Sequence, residues 1–246
     1  MNVFTYWEGS RPEYIQVCLD SMARVIGYDF CLITPERLSD WLPAGTLHDA
    51  YRTLPQPALR ADCIRAALLA THGGWWWDAD TVAIQSPDVI LDLIPQAEAF
   101  YTTWTKPPTR VLNGYIYVAP ESQIGRDWLA HVNATLDRDP SSVDWCSLGE
   151  QAITAMMLDN PNAYRVNREV FLPIDIDSNV EEFFVAENSS KYDLSEHSVC
   201  FGLNHSWFMY HHARDMLMPQ SEWWSSPLVI HQLLYWADNN NKVYYA

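Results

Sequence analysis

The apolar positions of the chain fall first into a short run, "NVFTYW" at residues 2–7, which ends in Glu8-Gly9-Ser10. So short a run, stopped by a glycine, predicts a buried strand entering a loop. Pro12 then opens "PEYIQVCLDSMARVIG", where Ile15, Leu19, Met22 and Ile26 recur at helical spacing before Gly27. A proline in the first turn and a glycine past the last periodic residue bracket a predicted helix. "FCLIT" predicts the next strand. The chain therefore begins β-α-β, the order that favours parallel strands in an α/β sheet.

From Gln56 to His72, "QPALRADCIRAALLATH" combines an initial proline, good helix formers and a Gly73-Gly74 stop, and predicts a second helix. It runs directly into "WWWDADTVAI". Aromatic residues favour a strand, so Trp75 to Trp77 are expected at a strand end and Asp78 to Asp80 in the turn beyond it. In open α/β sheets ligands collect at such carboxyl ends. Later, "AEAFYTTW" and "YIYVAP" read as strands, and "ESQIGRDWLAHVNATL" and "GEQAITAMML" as helices. After Pro161 the pattern breaks into short apolar runs with no repeat and no low-complexity linker, so one domain is expected.

Composition narrows the class. Hydrophobic residues make up 48% of the 246 and charged residues 19%, the balance of a globular chain with a sizeable core. The start, "MNVFTYWEGS", lacks a basic segment and long apolar run, and no later stretch approaches the roughly 20 apolar residues of a membrane span. The five scattered cysteines form no CxxC pair and read as buried thiols of a reducing compartment, so a cytoplasmic location is expected. A net charge of -16 with three lysines argues against nucleic-acid binding. An anionic ligand would need arginines, helix N-termini or a divalent cation held by the surplus carboxylates.

The stretch "THGGWWWDADTV" offers such a place. Asp-x-Asp after a strand is often a solvated turn whose side chains cap nearby N–H groups. Here the strand is strongly aromatic, Gly-Gly precedes it, and Thr81-Val82 continue into another apolar run. Two carboxylates one residue apart can approach one hard cation, which in turn binds a diphosphate.

The neighbourhood "ALRADCIRAALLATHGGWWWDADTVAI" resembles the signature of DxD-containing glycosyltransferases of the capsular polysaccharide synthesis and family-32 type. In that family a Ser-Asp-x-x-Arg helix leads through Gly-Gly and aromatics to the DxD. The opening "FTYWEGSRPEYIQVCLDSM" resembles the same family's N-terminal strand and Pro-led helix, and together they cover roughly the first 90 residues. The family's serine before the helix aspartate is Ala61 here, which removes a hydroxyl but no charge.

The resemblance implies a GT-A-type, Rossmann-like α/β fold with a mixed, mostly parallel sheet flanked by helices. It further implies a nucleotide-sugar donor, a UDP-sugar ahead of a GDP-sugar, with Mn2+ or Mg2+, retention of anomeric configuration, and a glycan or lipid-linked acceptor. Peripheral membrane contact stays open. Residues 1–110 would form the nucleotide-sugar half, and 111–246 the acceptor half and C-terminal segment. Asp62 and Arg65 would contact the donor sugar, Asp78 the ribose or sugar and the metal, and Asp80 the metal. "LNGYIYVAP" would nominate Asn113 near the sugar, and "GEQAIT" Gln151 near the anomeric carbon with Glu150 beside it. "GLNHSW" resembles the family's C-terminal His-x-Trp, making His205 a further metal ligand, with His231 the next choice and His211-His212 read as surface. Trp7, at the end of the first strand, is expected beside the nucleotide base, where an indole face stacks well.

Two other classes fit parts of the sequence. "DADTV" also fits a haloacid dehalogenase-type phosphatase with Asp78 as nucleophile, which needs a lysine, Lys106 or Lys191, and a later acidic pair, for which Asp175-Ile176-Asp177 is a poor substitute. Twelve tryptophans would also suit a non-catalytic sugar-binding protein, since their faces stack on sugar rings.

Overall fold

The predicted β-α-β opening is present. Strand β1 (Val3–Tyr6) is followed by helix α1 (Glu13–Ile26) and strand β2 (Phe30–Ile33), and β1 and β2 pair in parallel. The computed structural model describes residues 1–174, 180–187, 194 and 198–239. The remaining elements among these are helix α2 (Pro57–His72), strands β3 (Gly74–Trp77) and β4 (Thr81–Ala83), and helix α3 (Asp88–Leu91). Strands β5 (Ala99–Thr103) and β6 (Val111–Val118) follow, then helices α4 (Gln123–Arg138) and α5 (Glu150–Met157) and strand β7 (Ala163–Arg165). The last part holds β8 (Cys200–Gly202), α6 (His205–His211), α7 (Ala213–Met216) and α8 (Val229–Asn239).

The chain gathers into two compact units, each discontinuous in sequence. The first comprises Met1–Glu8, Asp29–Asp78 and Pro87–Val166, and the second Gly9–Tyr28, Ala79–Ser86 and Asn167–Ala246. No linker marks them because each is assembled from segments far apart along the chain.

The first unit is built on a six-stranded sheet in the order β2-β1-β3-β6-β5-β7. Three of its five pairings are parallel, and β6 runs antiparallel to both neighbours. This is the mixed, mostly parallel α/β sheet that the sequence predicts. Alternation along the strands sends Phe4, Trp76, Ile116 and Val118 into one core with α2 and α4, where Ile64, Leu68, Trp128 and Val132 are fully buried. The α2-to-β3 junction needs its two glycines. Gly73 and Gly74 have φ of 64° and 107°, and a Cβ would lie 2.4 Å from the Pro120 nitrogen at the first and 2.5 Å from the Asn2 carbonyl at the second. That tight junction sets Trp75 to Trp77 into the sheet and Asp78 just past its edge.

In the second unit α1 packs on β4, which pairs antiparallel with β8, and on α8. Ser21 of α1 ties this together, its buried hydroxyl accepting the Ala83 N–H at 2.9 Å and donating to the Cys18 carbonyl at 2.6 Å. All five cysteines are free thiols, four buried and Cys146 partly so.

Candidate active site

Asp62 and Arg65 are three residues apart on α2 and share a face, as the sequence predicts, and that face is interior: they are 7% and 4% exposed. They are therefore not a helix-surface ion pair. The Arg65 guanidinium lies 3.2 Å from Asp62 Oδ1, donates to the Asn113 carbonyl at 2.8 Å and to Asp78 Oδ1 at 2.7 Å, and sits 4.7 Å over the Trp76 ring. A planar fork held in this way sets two carboxylates on one arginine. Trp76 holds the same atom, its indole N–H donating to Asp78 Oδ1 at 2.8 Å. The aromatic strand thus has a task at its end. Trp76 cradles the arginine with its face and the first aspartate with its edge.

The cluster is completed from β6 and α5. Asn113 donates its side-chain amide to Asp62 Oδ1 at 3.0 Å, and the Gly114 carbonyl accepts the Asp78 N–H at 3.0 Å. Glycine is required by the carboxylates at two points. A Cβ at Gly114 would lie 2.6 Å from Asp78 Oδ2, and one at Gly149 would lie 2.4 Å from Asp62 Oδ2 and 2.3 Å from the Asn113 amide nitrogen. Glu150 begins α5 with its carboxylate bound by Arg110 at 2.5 Å and by the Trp104 indole N–H at 2.6 Å. Gln151, next on the helix, is exposed. Burial raises the Asp62 carboxyl to about 6; Arg65 and the Asn113 hydrogen bond pull it down, and Asp78 and Glu150 push it up. Asp78 keeps 41% of its side chain exposed.

Asp80 belongs to the second unit. Its carboxylate accepts the backbone N–H of His205 at 2.8 Å, and its carbonyl accepts the Leu203 N–H at 2.9 Å. The Oδ2 bond meets an N–H at the start of α6 that has no intrahelical partner. The Tyr14 hydroxyl of α1 pairs with His205 Nδ1. Burial lowers the His205 pKa and keeps the imidazole neutral near pH 7, and it raises that of Tyr14, which stays protonated. The structure thus brings together Asp80 and His205, both nominated from sequence as metal ligands, and adds Tyr14, which looks from sequence like any buried aromatic of a helix.

Residues 1–113 match the family model described as capsular polysaccharide synthesis protein. The match spans 113 of the 246 residues. Solved structures resemble the chain at low identity, two of which follow. A PaToxG glycosyltransferase is 15% identical, over 63% of this chain and 67% of that one, with a TM-score of 0.45. A glycosyltransferase involved in glycosylation of the major capsid of PBCV-1 is 14% identical, over 70% and 83%, with a TM-score of 0.42. No curated protein matches.

Trp7 directly follows β1, half-buried, its N–H bound to the Ile33 carbonyl at 3.0 Å. His231 is a structural residue: it is fully buried, with Nδ1 against the Ser226 hydroxyl at 2.6 Å and Nε2 against the Asp215 carbonyl at 2.7 Å. His211 is exposed as expected, but His212 stacks on Phe184 at 3.7 Å and lies 3.2 Å from Glu181. Lys106 lies exposed in the β5–β6 connection, and Lys191 and residues 175–177 lie outside the described residues. Among the described residues, no helix is long and apolar enough to cross a membrane.

Besides Tyr14, the residues of these clusters that the sequence did not nominate are Trp76, Trp104, Arg110, Gly114 and Gly149. Gly114 and Gly149 stand beside the nominated Asn113 and Glu150, so adjacency was the available signal. Arg110 and Trp104 carried none, because their meeting with Glu150 depends on how β5 and β6 lie beside α5.

Proposed function

We propose that the chain transfers a sugar from a nucleotide-diphosphate donor, a UDP-sugar in first place, to a glycan or lipid-linked acceptor, with retention of configuration and with Mn2+ or Mg2+. The observation that carries this reading is the buried Arg65 joining Asp62 to Asp78 at the carboxyl end of β3. Ligands collect at such strand ends, and a transferase needs a polar cluster that is fixed before the donor arrives.

In this reaction the bond from the anomeric carbon to the diphosphate oxygen breaks, a bond to an acceptor oxygen forms, the acceptor loses a proton and the nucleoside diphosphate leaves. Asp62 and Asn113 would accept and donate hydrogen bonds to sugar hydroxyls, while Arg65 fixes the Asp62 and Asp78 carboxylates. Asp78 would hold the ribose or the sugar. Gln151, exposed in the first turn of α5 beside the anchored Glu150, would lie near the anomeric carbon. Trp7 would stack on the base. Positioning of this kind lowers the barrier by holding reactants in register.

The family resemblance nominates Asp78, Asp80 and His205 for the cation, and carboxylates and a neutral imidazole are ligand types that Mn2+ accepts. Nδ1 of His205 is engaged by Tyr14, so Nε2 would be its metal-binding atom. Among the described residues no group of three or more His, Cys, Asp and Glu is placed to hold a metal ion, so a cation here would depend on donor phosphates and water for the rest of its ligands. When bound, the cation neutralises the departing diphosphate. Cytoplasmic residence follows from the reducing-compartment reading of the five free thiols.

The test is a thermal-shift screen of UDP- and GDP-sugars with manganese, followed by nucleotide release from the best donor. A metal-dependent rise in melting temperature with one nucleotide sugar, and slow release of its nucleotide, is the expected result. Binding of free sugars without donor turnover would instead mark a sugar-binding protein.

A further inference from the structure

Gly149 is buried at the residue preceding α5, and its surroundings leave no room on either side. The backbone before it is pinned, because the Leu148 carbonyl accepts the indole N–H of the fully buried Trp128 at 2.7 Å. The backbone after it is pinned too, by the Gly149 carbonyl accepting the Ile153 N–H at 3.1 Å and by Glu150 held between Arg110 and Trp104. The atoms a Cβ would meet, at 2.3 to 2.5 Å, are the Asn113 amide and the Asp62 carboxyl. Asp62 cannot withdraw without leaving both Asn113 and Arg65. The φ of -98° at Gly149 is on the ordinary negative side, and the close approach of the Asn113 amide and the Asp62 carboxyl leaves a side chain no space.

We propose that Gly149 is a positioning residue: its missing side chain lets the start of α5 press against Asp62 and Asn113 and fixes the direction in which that pair faces the donor sugar. This rests on the assignment of Asp62 and Asn113 to the donor made above. Any side chain at 149 moves the pair before it moves the anchored helix.

The experiment places Gly149→Ala in three backgrounds: wild type, Asp62→Asn, which keeps the shape of the carboxyl, and Asp62→Ser with Asn113→Ser, which clears the space. Each is compared with its own parent by melting temperature, a readout that needs no substrate and so stands apart from whether the chain transfers sugar. Overpacking predicts a drop of roughly 3–10 °C in the first two backgrounds and little change in the third. An equal drop in all three would overturn the proposal, since a defect in helix initiation would be blind to residues 62 and 113. If Gly149→Ala does not fold alone, the cleared background must restore folded protein, and its failure to do so would be contrary. In folded Gly149→Ala, donor turnover is expected to fall at least tenfold with free-nucleotide affinity unchanged; wild-type turnover would also overturn the assignment.

Discussion

Asp62 carries a cost that its neighbours only partly relieve. Its carboxyl titrates at about 6 in the folded chain against 3.8 for an unperturbed aspartate, chiefly because it is buried. The folded state therefore binds more protons than the unfolded state between those values, and stability falls as pH rises through the window. The shift corresponds to roughly 3 kcal/mol at neutral pH. Asp62→Asn is predicted to gain stability relative to wild type as pH rises from 4 to 7, and parallel melting curves across that range would contradict the burial argument. Arg65→Ala should behave oppositely. It leaves Asp62 and Asp78 without their shared cation, at a cost of about 3–5 kcal/mol for a buried partner lost; chemical denaturation measures this, and a cost within a few tenths of a kcal/mol would return the pair to the surface class. The spacing of Asp62 and Arg65 was legible in sequence because a helix puts i and i+3 on one face. That this face is buried, and that Arg65 reaches Asp78, was not legible, because both depend on how α2 crosses the end of β3.

Elements explain why the motif sits where it does. The long helix α2, the tight Gly73-Gly74 junction and the short strand β3 form one device that ends on Asp78, and every part of it was readable from caps, propensities and the positions of glycine. What the pattern could not show was division of labour among three consecutive tryptophans. Strand alternation turns Trp76 toward Arg65 and sends its neighbours to the opposite face. Gly74→Ala is predicted to destabilise by at least about 2 kcal/mol, because it adds strain at positive φ to a clash with backbone that cannot rotate away. Equilibrium unfolding checks this. Trp76→Phe should be milder in stability, since the ring face over Arg65 remains, but should loosen Asp78 and lower donor turnover; unchanged turnover would show that the indole N–H has no part in placing that carboxylate.

At the scale of the molecule, the sheet and its flanking helices followed from alternating strand and helix signals, whereas the two units did not. Each is woven from three chain segments, so no composition shift or linker announces it, and the region beyond Pro161 has short elements whose partners are distant in sequence. Asp78 ends one unit, held there by Arg65 and Trp76, and Asp80 belongs to the other, where its carboxylate accepts the His205 N–H at the start of α6. We propose that Asp78 and Asp80 serve a cation that carries the donor diphosphate. The most direct measurement is manganese-dependent nucleotide release from the best UDP- or GDP-sugar by wild type and by Asp80→Ala, with manganese-dependent thermal stabilisation by the same donor recorded alongside. Asp80→Ala is expected to fold and to lose both; wild-type release and stabilisation in the folded variant would show that Asp80 holds no such cation.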